Sequence, residues 1–188
     1  MTIHTKGTAA ETSNRIPPRV LGLPPRVGPS VEVLILGSFP GARSLRARHY
    51  YANEQNRFWR ALAPTCALTA DAGYEDRIAG LHARGIALWD VLHSCRREGS
   101  LDQRIVRGSE EPNDLSRVTG SHAELRAILF NGRSVAEFFH RHQIPRGFWP
   151  DLGVELLTLP STSPAHAAMP TAEVVRVWTE TLARLVRA

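Results

Sequence analysis

Four stretches of the chain are apolar almost without interruption: VEVLILGS (Val31 to Ser38), GIALWDVL (Gly85 to Leu92), AILFNG (Ala127 to Gly132) and VELLTLPS (Val154 to Ser161). Short runs of β-branched and aliphatic residues bounded by glycine, proline or polar positions predict strands buried on both faces of a parallel sheet. Between them the apolar spacing changes to a helical one. Arg57 to Ala67 places Phe58, Trp59, Leu62 and Ala63 on one side, and Tyr74 to Ala83 forms a second helix ending near Arg84-Gly85. Ser134 is read as the cap of a helix through His142. Thr171 is read as the cap of a last helix, with Val174, Val177, Trp178, Leu182 and Leu185 on one stripe. The polar segment Cys95 to Ser116 is long enough to predict a functional loop with short helical turns, and Arg146 to Asp151 is irregular.

Strands alternating with helices predict an α/β fold, a three-layer α/β/α sandwich around a central four-stranded, mainly parallel sheet. A ligand site is then expected beyond the carboxyl ends of the strands. That selects four loops: Gly37 to Asn56, Leu92 to Asn113, Asn131 to Ser134 and Pro160 to His166. The first 30 residues are polar and then proline-rich (Pro17, Pro18, Pro24, Pro25, Pro29), which opposes helix and central strand alike. Residues 1–22 are expected to be a disordered or extended tail, and residues 23–188 a single domain.

Composition narrows the class. With 43% hydrophobic residues the 188-residue chain can build a core. No run approaches the ~20 apolar residues of a membrane helix, and the N-terminus lacks the apolar core of a secretory signal. Two cysteines, Cys66 and Cys95, exclude a disulfide framework, a four-cysteine zinc site and a four-cysteine iron–sulfur cluster within one chain. A reduced, cytoplasmic monomer without metal or cofactor is the expectation. The net charge is +5, and every basic residue except Lys6 is arginine. Arginine suits phosphate contacts, although genome composition also produces such a bias. The near absence of lysine opposes Schiff-base catalysis, because Lys6 lies in the tail.

Several signatures are missing: a phosphate loop ending in Gly-Lys-Ser/Thr, GxGxxG, GxSxG, and the zinc deaminase pattern. His140 and His142 lie on different faces of their helix and read as solvated. What the strand ends share is carboxamides, hydroxyls and aromatics: Tyr50, Tyr51, Asn53 and Asn56; Asn131; Ser161, Thr162, Ser163 and His166. A carboxamide such as Asn131, straight after an apolar strand, is costly to bury unpartnered. It either reads the donor–acceptor edge of a heterocycle or makes a turn with Gly132. Tyr50-Tyr51 is either core or a stacking platform.

LILGSFPGARSLRARHYYANEQNRFW (Leu34 to Trp59) resembles the first motif of the uracil-DNA glycosylase superfamily, in particular its hypoxanthine-DNA glycosylase branch, family 6. WDVLHSCRREGSLDQRI (Trp89 to Ile105), FNG (Phe130 to Gly132) and LPSTSPAHA (Leu159 to Ala167) follow in the matching order, and the likeness runs from about Leu23 to the C-terminus. The resemblance implies a glycosylase of damaged DNA that flips out a deaminated base and hydrolyses its bond to the sugar, with hypoxanthine the expected lesion. Many relatives carry a catalytic carboxylate or carboxamide at the third position of a Gly-x-Asn-Pro-Gly loop; here that position is Phe39. In this branch the role is expected to pass to Asn56, while Asn53 takes no part in catalysis. Tyr51 matches the aromatic on which the base stacks and Asn131 the asparagine that pairs with it. Backbone amides of the Gly37, Ser38 and Phe39 loop are expected to hold the base. Ser161, Thr162, Ser163, Pro164, Ala165 and His166 match the loop that enters the minor groove as a wedge.

Asp90 reads as a core hydrogen-bonding partner, Asp102 as a support for the site, and Trp59 and Trp178 as core. Lacking a usable lysine, the enzyme is expected to leave an abasic site in an uncut strand. The alternatives are uracil or xanthine as the lesion, a DNA-binding module without turnover, and hydrolysis of free nucleosides.

Overall fold

The computed structural model describes residues 16–147 and 153–186. In chain order the elements are β1 (Arg19–Leu21), β2 (Val33–Gly37), α1 (Ala42–Ala47), α2 (Phe58–Cys66), α3 (Tyr74–Ala83), β3 (Ile86–Asp90), β4 (Leu92–Arg96), β5 (Glu111–Pro112), α4 (Ser116–Thr119), β6 (Ala127–Asn131), α5 (Arg133–His142), β7 (Glu155–Leu159) and α6 (Thr171–Leu185). Four strands form one parallel sheet in the order β3-β2-β6-β7. The expected tail at residues 1–15 lies outside the described residues, as do residues 148–151 of the expected irregular segment.

Because successive side chains of a strand point to opposite faces, the sheet separates two cores. Val33 and Ile35, Ile86 and Leu88, and Ala127 and Leu129 face Phe58 and Leu62 of α2, Ile78 and Leu81 of α3, and Trp178 and Leu182 of α6. On the reverse face, Leu34, Leu36, Ala87, Trp89, Ile128 and Phe130 meet Val118 of α4 and Val135, Phe138 and Phe139 of α5. Helices therefore cover both faces, as the alternation of elements predicts. The two cysteines, one in each core, are unpaired thiols.

The structure departs from the sequence reading in four places. β7 is not buried on both faces; it closes one edge of the sheet, and only Leu159 is fully sequestered. The segment before and within the polar loop forms a second, antiparallel sheet, β1-β4-β5, in which Val20 pairs with Cys95. The extended arm thus contains a strand at Arg19–Leu21. Neither Ser134 nor Thr171 is a cap: α5 begins at Arg133 after Gly132 and α6 begins at Thr171 after Pro170, both without a side-chain cap. Finally, the chain passes from β3 into β4 with no intervening loop. Val91 N–H donates to the Gly37 carbonyl and Leu92 N–H to that of Ser38, so the first strand-end loop is pinned to the β3–β4 junction.

Candidate active site

At the carboxyl end of the sheet one row of residues crosses three strands in register. Gly37 of β2 lies opposite Asp90 of β3, and on its other side the pairing of Leu36 with Phe130 brings it beside Asn131 of β6. By strand alternation Asp90 and Asn131 point to the face that carries α2 and α6. Gly37 between them has no side chain, and a Cβ there would collide with Asp90 Oδ1 and come within 3.6 Å of the Tyr51 hydroxyl. Gly37 is thus the residue that lets a carboxyl, a phenol and a carboxamide gather over one strand end.

Asn131 is 8% exposed and its carboxamide is engaged on both sides. Its Nδ2 donates to the Tyr51 hydroxyl at 3.1 Å and to Thr162 Oγ1 at 2.9 Å, while its Oδ1 accepts Thr162 N–H at 2.9 Å. One lone pair on Oδ1 is left. Both amide protons are occupied, so the expected donor–acceptor reading of a base narrows to a single acceptor. The turn with Gly132 is present as well: that glycine has φ +107°, and a Cβ on it would stand 2.8 Å from that of Ser161. This close approach brings the loop after β7 against the end of β6.

Tyr51 is held at φ +54°, a conformation sparsely populated by non-glycine residues and associated with functional sites. Its ring stacks on Phe58 with centroids 3.6 Å apart and planes 12° from parallel. Burial raises the pKa of its hydroxyl well above the ordinary phenol range, as does the charge of Asp90. Tyr50 belongs to the core, with its hydroxyl donating toward the Leu23 and Pro24 carbonyls.

Asn56 is half-buried, and its Oδ1 accepts the Phe58 N–H at 3.0 Å. That bond holds the carboxamide at the entrance to α2 and leaves Oδ1 one further lone pair. The next residue, Arg57, gives its N–H to the Thr162 carbonyl at 3.0 Å. Thr162, with no exposed surface, therefore joins Asn131 to the Asn56-Arg57 peptide. Asn56, Tyr51, Asn131 and the segment after β7, sequence-predicted features from three separate parts of the chain, form one connected group.

A family model for the uracil DNA glycosylase superfamily matches residues 24–182. The chain belongs to that superfamily. It is 38% identical over 146 residues to a protein of Methanosarcina acetivorans named hypoxanthine DNA glycosylase, covering 77% of this chain and 87% of that one. A protein of the same name from Methanosarcina barkeri is 36% identical over 118 residues, 62% of this chain and 73% of its own. A solution NMR structure of a Methanosarcina acetivorans protein superposes with a TM-score of 0.68 at 33% identity, covering 86% of this chain and 98% of the other.

Three sequence-predicted positions of this superfamily member need a different description. Phe39 turns its ring into the core on the reverse face, beneath the Arg97 guanidinium at 4.9 Å, so any contact it makes with a base is through its backbone. Thr162 is an anchor and cannot be part of an exposed wedge; Pro164, Ala165 and His166 are the exposed tip. Asp90, expected to be a core hydrogen-bonding partner, is buried with its Oδ2 lacking a hydrogen-bond partner. Burial foremost, then the charge of Asp102, push Asp90 up to about 7 against the opposing pull of Arg97 and the Tyr50 hydroxyl.

Asp102 connects two loops, accepting Ser38 Oγ at 2.6 Å and Ser134 Oγ at 2.9 Å. Two buried arginines are features that sequence reasoning missed. Arg57 donates to the carbonyls of Met169 (2.7 Å), His166 (2.8 Å), Ser161 (3.0 Å) and Ser163 (3.3 Å), and so fixes the whole 161–169 loop. Arg97 does the same for the first loop through the Phe39 and Pro40 carbonyls, and its Nε donates to the Gly99 carbonyl of its own loop. In a chain with 22 arginines nothing in spacing singles these two out; the only signal for Arg57 is its position next to Asn56. Among the described residues no cluster of histidine, cysteine, aspartate or glutamate could hold a metal ion, and no helix is long and apolar enough to cross a membrane.

Proposed function

We propose that this DNA glycosylase excises hypoxanthine, taking the extruded base against the ring of Tyr51 and cutting its glycosidic bond with a water molecule held by Asn56. The observation that carries the reading is the joining of Asn56, Tyr51, Asn131 and the 161–169 loop at one strand end, in a chain similar to two proteins named hypoxanthine DNA glycosylase. Breaking the bond between sugar and base builds positive charge on the sugar and sends an electron pair to the base. Asn56 has an acceptor lone pair for a water proton, and its carboxamide is already oriented by the Phe58 amide. The remaining lone pair of Asn131 Oδ1 suits the ring N–H of hypoxanthine. The Pro164 to His166 tip is the part of the loop available to enter the groove. Extruding a base costs roughly a few kcal/mol, less when it is mispaired, and stacking offsets about 1–3 kcal/mol. The protein works in this reading as a cytoplasmic monomer without a cofactor, leaving an abasic site in an uncut strand.

Uracil is the second reading, favoured by the same single acceptor, since its ring N–H makes an equivalent donor. Single-turnover release from oligonucleotides carrying hypoxanthine, uracil or xanthine opposite each normal base separates the two. Hypoxanthine is expected to leave fastest. Release of no base from any substrate overturns the reading in favour of a binding module. Replacing Asn56 with alanine is expected to slow excision by about 100-fold or more while duplex binding is retained, and undiminished excision removes Asn56 from its role.

A further inference from the structure

Cleavage of the base–sugar bond leaves an electron pair on the base, and a proton delivered there as the bond breaks lowers the barrier. The polar groups of the candidate site differ sharply in their ability to supply one. Asn56 and Asn131 carry carboxamides, which do not ionise near neutrality. The Tyr51 hydroxyl holds its proton more tightly than a free phenol. Both oxygens of Asp102 are taken by serine hydroxyls, Ser38 on Oδ1 and Ser134 on Oδ2. His166 stands on the exposed loop tip, outside the strand-end row.

Asp90 remains. It is 4% exposed and in register with Gly37, on the face of the sheet that also presents Asn131. Its Oδ1 fills the space where a Gly37 side chain would stand, beside the Tyr51 hydroxyl. Its Oδ2 has no partner although nearly every buried polar atom in a folded protein finds one. Other buried polar atoms also lack partners, among them those of Thr65, His82 and Thr179, but Asp90 carries its open oxygen in the strand-end row with Gly37, where a ligand would complete it.

We propose that Asp90 is the proton donor to the departing base, a role that rests on the glycosylase reading above and adds a second catalytic residue to it. As the bond from the sugar C1′ to the base nitrogen breaks, its electron pair passes to the base. The proton of the Asp90 carboxyl moves to a ring heteroatom of that base, which leaves neutral, and Asp90 becomes a carboxylate. The water held by Asn56 then adds to C1′ and releases one proton to solvent, from which Asp90 is reloaded. The charged and titratable neighbours are Tyr50 and Tyr51 from the segment before α2 and Arg97 and Asp102 from the segment after β4. Their sum with burial leaves Asp90 an acid up to about pH 7, so the donor form is present below that pH and is lost above it.

The test is single-turnover release of hypoxanthine from duplex oligonucleotide by wild type and Asp90→Asn, followed from about pH 5.5 to about pH 9 alongside duplex binding. The wild-type rate is expected to be level below pH ~7 and to fall about tenfold per unit above it. Asp90→Asn is expected to be slower by about 100-fold or more at pH ~6, to lose the alkaline fall, and to bind duplex as the wild type does. An Asn variant that keeps the wild-type rate or slope overturns the proposal. Should that variant not fold, a wild-type rate that stays flat across the range overturns it equally. A wild type that releases no hypoxanthine at any pH defeats the functional reading itself, a result distinct from both of these.

Discussion

Asn131 and Asp90 flank the same glycine at equivalent positions of the two strands on either side of β2, and the fold treats them in opposite ways. The carboxamide of Asn131 is bonded to Tyr51 and to both the N–H and the hydroxyl of Thr162. The carboxyl of Asp90 is buried just as deeply with one oxygen orphaned. A satisfied buried group contributes structure: here it fixes the 161–169 loop to the sheet. An unsatisfied one is retained at an energetic loss of about 1–3 kcal/mol. Asp90 Oδ2 differs from the other unpartnered buried atoms, such as those of Thr65 and Thr179, in standing at the strand end beside Gly37, where a bound base is proposed to complete it. Burial alone therefore does not mark the residues of a site; what separates these two is whether the protein supplies their partners.

Substitutions at the two positions should move stability in opposite directions. Asn131→Ala is expected to have the largest effect, a loss of about 3–5 kcal/mol, because it strips partners from the sequestered Thr162 amide and hydroxyl. Chemical denaturation measures it, and a loss below about 1 kcal/mol would deny the anchoring role. Asp90→Asn is expected to act the other way. The folded-state pKa of Asp90 is raised to about 7 from an ordinary 3.8. The wild type therefore has its full stability only below pH ~4, loses it as the pH rises to ~7, and stays at the lower level beyond. The variant escapes that loss, a gain of up to about 4 kcal/mol near pH 8. A melting temperature higher than that of the wild type at pH ~8, with no advantage at pH ~4, is the expected reading. A variant less stable at both would return Asp90 to the role of a structural partner.

Arg57→Met is expected to cost about 2–3 kcal/mol, since four carbonyls lose a charged donor. Protease cleavage within residues 161–169 should accelerate first, and equal protection in both proteins would show that the loop is held otherwise. The smallest effect is expected for Ser38→Ala, about 1 kcal/mol by thermal melting, because Asp102 keeps its bond to Ser134.

The sheet was legible because its four strands are the apolar runs and the helical spacing between them is regular. β1, β4 and β5 were not, because short strands carrying arginine, serine, histidine and glutamate have no apolar period to read. Their existence depends on pairing across distant parts of the chain. In the site, Asn56, Tyr51 and Asn131 were visible as unusual residue types at strand ends. The orphaned oxygen of Asp90 was not, because it follows from register with Gly37, a relation between two strands rather than a property of either. The anchoring role of Thr162 was hidden for the same reason, since a threonine in a serine-rich loop reads as exposed until its partner on β6 is known. Arg57 and Arg97 were concealed by abundance and by their choice of partners: both are held by backbone carbonyls, which every residue possesses.

One consequence follows from Arg57 and Asn56 being neighbours in the chain. The guanidinium grips the loop proposed to enter the groove, and the adjacent carboxamide sits where hydrolysis is proposed. In the proposed reading, pressure from a duplex on the 161–169 segment would reach the reaction centre across a single peptide unit. A lone nucleoside would exert no such pressure, so the proposed enzyme would act on a polymer and pass over the free nucleotide pool.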